Sequence, residues 1–171
     1  MEFIGTDDLR RQALILALAR QESRFVPSAI STSYALGMMQ FMPFVANDIA
    51  KKQGLAEFDQ DNMFKPEVAY KFANIHLDYL ENYLISPVFI AYAYNGGIGF
   101  TNRMLKNGLF DKKGKYEPYL AMELVPYAES RDYAKKVLAN FVIYAQILGL
   151  KVSAEDEILK LSSSEKSDKV R

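Results

Sequence analysis

Apolar residues recur at helical spacing along most of the chain. Leu9, Ala13, Leu16 and Ala17 predict a first helix over residues 8–20, with Thr6 or Asp7 as its cap. Prolines at helix starts and glycines or prolines after helix ends mark the other segments. Further helices are predicted over 43–52, 66–84, 87–94, 99–106, 117–124 and 130–148, with loops over 26–35 and 54–65.

The segment 87–94 is apolar on nearly all sides, whereas a surface helix has one apolar stripe. It is therefore predicted to be a central buried helix, ended by Asn95, Gly96 and Gly97. No long segment alternates with a period of two, as a half-buried strand would. The predicted fold class is mainly α.

Composition divides the chain near Gly149. The 171 residues fit one domain of ordinary size, and half of them are hydrophobic. Beyond this point Ser, Lys, Glu and Asp dominate. We predict one domain over residues 1–150 and a polar, flexible C-terminal tail over 151–171, with a short helix through Ile158, Leu159 and Leu161 as an open alternative at its start.

Charge and cysteine content exclude several functions. The 21 basic and 21 acidic residues balance, so no basic field exists to attract nucleic acid. The absence of cysteine excludes thiolate catalysis and cysteine-bound zinc. No apolar stretch reaches the roughly 18 to 20 residues of a transmembrane segment, and no export signal is visible, so the signal of an exported protein would lie outside this sequence.

Carboxylates are the remaining candidates for acid and base chemistry. The single histidine, His76, lies on the apolar face of the helix predicted over 66–84, where it is expected at the core or its boundary. Glu22 follows an apolar helix, and partial burial there would raise its pKa and make it a usable general acid. A solvated glutamate at a helix end is the alternative, and composition alone does not decide between them.

Four short blocks occur in a fixed order. Glu22-Ser23 is followed by Gly-Met-Met-Gln-Phe-Met-Pro at 37–43, Ala-Tyr-Asn-Gly at 93–96 and Glu-Ser-Arg-Asp-Tyr at 129–133. Over residues 8–149 this set resembles the soluble lytic transglycosylase family. The resemblance implies a lysozyme-like helical domain, similar to goose-type lysozyme.

The resemblance also implies roles for individual residues. Glu22 would be the catalytic acid and base, and Ser23 would support the helix end beside it. The positions that match substrate-binding residues of the family are Ser31, Gln40, Met42, Tyr94, Asn95 and Glu123. Ser31 would steady the sugar or Glu22, and Glu123 would be a second acid in the groove that binds sugar.

Each assignment has a structural alternative. Met42 could be core packing, Tyr94 could be a plain core residue, and Asn95 could simply stop a helix. Glu129 and Arg131 could form a surface pair, so we expect their block to buttress the fold outside the site. The chain departs from the family pattern at Ser33, Tyr34, Met38, His76 and Ser130.

The implied reaction cleaves the β-1,4 bond between N-acetylmuramic acid and N-acetylglucosamine in peptidoglycan. It leaves a 1,6-anhydromuramoyl end, consumes no water and needs neither a metal nor another cofactor. The expected partner is the glycan strand, the expected location is the periplasm, and an upstream helical domain of the same chain is possible. Two alternatives remain open: a goose-type lysozyme that hydrolyses the same bond, and a catalytically silent peptidoglycan-binding module.

Overall fold

The computed structural model describes residues 4–162, and this part of the chain is mostly helical. The helices are α1 (Leu9–Glu22), α2 (Pro43–Lys52), α3 (Pro66–Glu81), α4 (Pro87–Gly96), α5 (Ile98–Lys106), α6 (Tyr119–Glu123), α7 (Ala128–Ile147) and α8 (Ala154–Leu159). Two 3-10 helices, Gln60–Phe64 and Lys160–Ser162, complete the regular structure. The prediction of a mainly α fold is confirmed.

Local capping explains where the helices begin. Asp8, rather than Thr6 or Asp7, caps α1, since its carboxylate accepts hydrogen bonds from the backbone amides of Arg10 and Arg11. Pro43, Pro66 and Pro87 open α2, α3 and α4. The bounds predicted for α2 are confirmed, and α1 runs two residues further than predicted, to Glu22.

The core is built around α4. All its residues from Pro87 to Ala93 are buried, which confirms the predicted central helix. Helix α4 packs along α7, which also packs along α1, and α5 and α3 lie against other sides of α4. The C-terminal end of α1 and the N-terminal half of α7 therefore meet near the end of α4.

The segment between α1 and α2 is irregular, as predicted, but tightly folded. Isolated antiparallel bridges join Ile30 to Leu36 and Leu36 to Phe41. Gly37 has a φ of 74°, and a Cβ atom there would lie 2.0 Å from the carbonyl oxygen of Met63. Only glycine fits this close approach, which fixes the segment against the 3-10 helix Gln60–Phe64 within a stretch predicted as loop.

The packed structure continues beyond residue 150, where we expected the tail to begin. Leu161 is buried in the core, and α8 contacts α4 and α7. The buried carboxylate of Glu157 accepts hydrogen bonds from Arg10 at 2.6 Å and from Lys160 at 3.0 Å. Residues 151–162 are thus part of the folded domain because these contacts fasten them to α1. The rest of the expected tail, 163–171, lies outside the described residues.

Within residues 4–162, no helix combines the length and the apolarity that a bilayer crossing requires.

Candidate active site

Glu22 is the last residue of α1 and is largely enclosed by the neighbouring helices. Burial raises its pKa from 4.5 to about 7, and the negative charge of Glu129 adds to this increase. A hydrogen bond from Tyr133 acts in the opposite direction. Because burial dominates, a substantial fraction of Glu22 is protonated at neutral pH and can donate a proton.

Tyr133, on α7, makes the direct contact with this carboxyl group. Its phenol donates a hydrogen bond to Oε1 of Glu22 at 2.5 Å, across 111 positions of sequence. Tyr133 is buried, and burial together with the charge of Glu22 raises its pKa well above 10. The phenol therefore stays protonated and remains a donor to Glu22 in either protonation state of the carboxyl group.

Asn95, at the end of α4, is hydrogen-bonded to the first turn of α7. Its side-chain Nδ2 donates to Oε1 of Glu129 at 3.2 Å, and its side-chain Oδ1 accepts a hydrogen bond from the Ser130 hydroxyl at 2.6 Å. Both contacts fix the orientation of the Asn95 amide. Ser130 is buried and Glu129 is exposed, so Asn95 is hydrogen-bonded to one interior residue and one surface residue of α7.

Tyr94 lies beside Glu22, but its hydroxyl has another partner. It donates to the backbone carbonyl of Met39 at 2.9 Å. Burial, with a contribution from the charge of Glu22, raises the pKa of Tyr94 well above 10. Its ring packs against Phe41 and His76, with centroid distances of 6.0 and 5.6 Å. Tyr94 therefore supports the site and the core together.

His76 is the partly buried boundary residue that its position on the helix predicts. Its ring contacts those of Phe41, Tyr79 and Tyr94. Burial lowers its pKa to about 4, and the positive charge of Lys52 contributes. His76 is thus neutral at pH 7 and packs as an aromatic ring.

Ser23 and Gln40 hold the irregular segment between α1 and α2. The Ser23 hydroxyl donates to the carbonyl oxygen of Met38 at 2.8 Å and accepts from the amide of Val26 at 3.1 Å. The side-chain amide of Gln40 donates to the carbonyl oxygens of Gly37 and Ala29, at 2.8 and 3.2 Å. Ser23 thus ties the end of α1 to this segment, while Gln40 closes the segment on itself.

Two further predicted residues, Ser31 and Met42, form no hydrogen bond with Glu22. The Ser31 hydroxyl accepts hydrogen bonds from the backbone amides of Ser33 and Ala35, at 3.2 and 2.9 Å. It therefore stabilises its own turn, and its predicted contact with a sugar stays a prediction. Met42 is partly buried at the start of α2, and its predicted place in the groove also stays a prediction.

Glu123 lies on a different side of α7. Its carboxylate accepts a hydrogen bond from Lys135 at 2.5 Å, and its backbone carbonyl accepts one from Arg131 at 2.9 Å. Successive helical residues are about 100° apart, so Arg131 and Lys135 share a face that is roughly opposite to that of Tyr133. The structure therefore does not bring Glu123 to the side chains around Glu22.

Sequence reasoning missed Glu129 and Tyr133 as neighbours of Glu22, because it assigned them to a buttressing block. They lie four residues apart and so share one face of α7. That face also leads into the buried stripe of the helix, Ala134, Val137 and Phe141. The spacing could have indicated that both side chains point towards α1 and α4. In residues 4–162, no group of three or more potential metal ligands is arranged to hold an ion.

Comparison with known proteins fits this arrangement. The model of the family described as transglycosylase SLT domain matches residues 6–117. The chain belongs to this family. The match includes Glu22 and the blocks at 37–43 and 93–96, which confirms the resemblance found in the sequence.

Relatives with sequence similarity are named as lytic murein transglycosylases. The soluble lytic murein transglycosylase of Salmonella typhimurium is 30% identical over 142 residues, covering 82% of this chain and 21% of the relative. The membrane-bound lytic murein transglycosylase C of Shigella sonnei is 32% identical over 143 residues, covering 74% of this chain and 40% of the relative. This SLT-domain chain therefore spans about one fifth of the first relative and two fifths of the second.

Solved structures share the fold. The 70 kDa soluble lytic transglycosylase of Escherichia coli is 27% identical, with a TM-score of 0.73 over 86% of this chain and 25% of that one. A lytic transglycosylase Slt from Pseudomonas aeruginosa, solved as an inactive glutamate-to-glutamine mutant, is 26% identical, with a TM-score of 0.65 over 83% of this chain and 22% of that one. The prediction of a lysozyme-like helical domain is confirmed.

Proposed function

We propose that this SLT domain is a peptidoglycan lytic transglycosylase in which Glu22 acts first as a general acid and then as a general base. The observation that carries the proposal is the raised pKa of Glu22, about 7, in a chain of this family. The names of the relatives, which are lytic murein transglycosylases, supply the substrate class.

In the first step, protonated Glu22 donates its proton to the oxygen that links N-acetylmuramic acid to N-acetylglucosamine. The C1–O bond of the muramoyl residue breaks, and the N-acetylglucosamine side leaves as an alcohol. A general acid with a pKa near the working pH suits this step, because it is both available and able to transfer its proton. The N-acetyl group of the muramoyl residue would stabilise the positive charge that develops at C1.

In the second step, ionised Glu22 removes the proton of the muramoyl C6 hydroxyl, and the oxygen forms a bond to C1. The product is a 1,6-anhydro ring, and Glu22 regains its proton. The hydrogen bond from Tyr133 stabilises the carboxylate between the two steps, while burial keeps the carboxylate basic enough to accept the proton. Tyr133 therefore holds Oε1 of Glu22, and with it the whole carboxyl group, in the same position in both steps.

Glu129 is the second acid that we assign to the site, in place of Glu123. Its charge favours the protonated form of Glu22, and its hydrogen bond with Asn95 holds it at the exposed end of the centre. Such an exposed carboxylate is suited to accept hydrogen bonds from sugar hydroxyls. We propose that Asn95 and Glu129 bind the substrate together, with Ser130 fixing Asn95.

Product mass tests the reaction. Purified peptidoglycan is digested with the protein, and the released fragments are analysed by mass spectrometry. We expect muramoyl ends that lack one water relative to reducing ends, since the C6 hydroxyl replaces water as the nucleophile. Reducing ends would instead establish the lysozyme reaction, and binding without released fragments would establish a silent module.

Where the reaction takes place is also part of the proposal. Peptidoglycan in the relatives' organisms lies in the periplasm, so we propose a periplasmic site of action. The relatives are much longer than this chain, which supports its working as one module of a larger protein.

A further inference from the structure

The segment that follows α7 packs back against α7, α4 and the start of α1. It consists of α8 and the 3-10 helix after it, residues 154–162, and we call it the C-terminal strap. Glu157 in the strap is 2% exposed, although glutamate is rarely buried unless it is paired. Its carboxylate oxygens are paired with Arg10 and Lys160, and Leu161 embeds the end of the strap in the core. None of these residues has a role in the reaction described above.

Arg10 connects the strap to two other helices. It belongs to the first turn of α1, and its guanidinium donates to Oε2 of Glu157 at 2.6 Å. The same guanidinium lies over the ring of Phe141 in α7, with Cζ 5.0 Å from the ring centroid. Phe141 is fully buried. The start of α1 is thus attached to α7 and to the strap through one side chain.

Glu22 lies at the other end of the same pair of helices. It is about 18 Å further along the axis of α1 than Arg10, at 1.5 Å per residue. Its partner Tyr133 precedes Phe141 on α7, so α1 and α7 run antiparallel, with Arg10 on Phe141 at one end and Glu22 on Tyr133 at the other.

The part of α1 between these two points is apolar. Its buried residues are Ala13, Leu14, Ile15, Ala17, Leu18 and Ala19. Burial of such groups is favourable but non-directional. The directional contacts at the two ends of α1 therefore define how far this helix is displaced along α7.

The reaction depends on that displacement. A hydrogen bond weakens steeply when its geometry departs from the optimum, and a shift of about 1 Å in a reacting group can reduce a rate about a hundredfold. We propose, on the basis of the proposed function, that Arg10 and Glu157 are positioning residues. Together they hold α1 at the register on α7 in which Glu22 meets Tyr133, and they act through the helix rather than on the substrate.

Glu157→Gln tests this proposal, because it removes the charge that binds Arg10 at almost the same side-chain volume. We expect kcat on peptidoglycan to fall about tenfold as Glu22 loses alignment. KM should change little, since the proposed sugar-binding residues lie on α4 and α7. The alkaline limb of the pH–activity profile should move to higher pH, because a weakened hydrogen bond from Tyr133 lowers the pKa of Glu22 less. A lower unfolding temperature with unchanged kcat and an unchanged profile would overturn the proposal.

Glu155→Gln is the matched control. Glu155 is exposed on the same helix, and Glu157 rather than Glu155 is the partner of Arg10, so kcat and the pH profile should stay as in the unsubstituted protein. An equal fall in kcat in this control would reduce the effect to net charge and overturn the proposal.

Arg10→Lys is a second, milder variant. It keeps a cation beside the buried carboxylate of Glu157, which protects the fold, but loses the planar group over Phe141. Its kcat should lie between those of Glu157→Gln and the unsubstituted protein. A kcat below that of Glu157→Gln would contradict the role assigned to the ion pair.

A double-mutant cycle separates positioning from plain stabilisation. Tyr133→Phe removes the contact that Glu157→Gln weakens, so the double variant should have nearly the kcat of Tyr133→Phe alone. Losses that simply multiply would show that the strap acts independently of this contact, which would overturn the proposal.

Titration of Glu22 gives a test that needs no turnover. NMR of labelled glutamate carboxyl carbons follows it in the unsubstituted protein, in Glu157→Gln and in Glu155→Gln. We expect a higher pKa of Glu22 in Glu157→Gln than in the other two proteins, and equal values in all three would overturn the positioning role. If the unsubstituted protein does not cleave peptidoglycan, the proposed reaction fails, while this titration still decides whether the strap positions Glu22.

Discussion

Glu22 and Glu123 are both the last residue of a helix, yet their surroundings change their pKa values in opposite directions. Burial raises the pKa of Glu22 to about 7, whereas the hydrogen bond from Lys135 lowers that of the exposed Glu123. The negative end of a helix disfavours a carboxylate in both places, so helix position cannot cause the difference. The ability of Glu22 to act as a general acid therefore depends on its enclosure by α4 and α7.

The largest expected effect follows from removing the enclosed carboxyl. Glu22→Gln keeps the volume and an acceptor for Tyr133 but removes the transferable proton, so peptidoglycan cleavage should fall at least about a thousandfold. Turnover is measured by release of soluble fragments, and circular dichroism checks the fold. Glu123→Gln is the matched control and should retain nearly full activity. Comparable losses in the two variants would erase the proposed distinction between the two acids.

The same substitution should change stability with pH. The folded state holds the Glu22 proton up to about pH 7, whereas the unfolded chain releases it near pH 4.5. The resulting destabilisation is absent below about pH 4.5, grows as pH rises and is complete above about pH 7. Glu22→Gln should therefore become more stable than the parent by roughly 3 kcal/mol at pH 8, with no such gain at pH 4. Urea unfolding at both pH values measures this, and a gain that does not depend on pH would contradict the burial of Glu22.

Tyr133→Phe tests the hydrogen bond that opposes burial. Because that bond lowers the pKa of Glu22, its loss should move the alkaline limb of the pH–activity profile to higher pH. Activity near neutral pH should fall about tenfold, since the carboxylate formed between the two steps loses its donor. Tyr94→Phe is the comparison variant, because its hydroxyl contacts Met39, and it should reduce stability without raising that limb. An upward shift in Tyr94→Phe alone would reverse the assignment of the two tyrosines.

Glu129→Gln gives the smallest of these effects, and the pH profile should move in the other direction. Its charge contributes less to the pKa of Glu22 than burial does, so the alkaline limb should shift modestly to lower pH. KM should rise, because the exposed carboxylate can no longer accept hydrogen bonds from sugar in the same way. A variant with unchanged KM and an unchanged profile would exclude Glu129 from the site.

Much of the fold was predictable because its determinants are local. The bounds of α2 follow from Pro43 and from Gly54, and the burial of α4 follows from its lack of a polar face. The packed segment 151–162 was not predictable in this way. Its anchors are the ion pair between Glu157 and Arg10, across 147 positions, and the burial of Leu161 in the core.

The residues of the candidate site were likewise predictable where a local motif marks them, and not where they meet through packing. Glu22 could be recognised from its motif, and Asn95 from the motif at the end of α4. The buried stripe of α7 indicates the face on which Tyr133 lies, but the contact with Glu22 depends on how α7 packs against α1, across 111 positions of sequence. The expectation that Glu123 would be the second acid relied on its place in the chain, and the face of α7 that it meets became known only from the packing.

The adjacent carbonyl groups of Met38 and Met39 are held by side chains from two different helices, Ser23 at the end of α1 and Tyr94 in α4. The amides of Leu36, Gly37, Gln40 and Phe41 are also hydrogen-bonded within this part of the chain. Opening the segment therefore breaks its contacts with the end of α1 and with α4. Hydrogen exchange at these amides should then report cooperative subglobal unfolding of residues 36–41 with their helix contacts, rather than a local fluctuation of a loop.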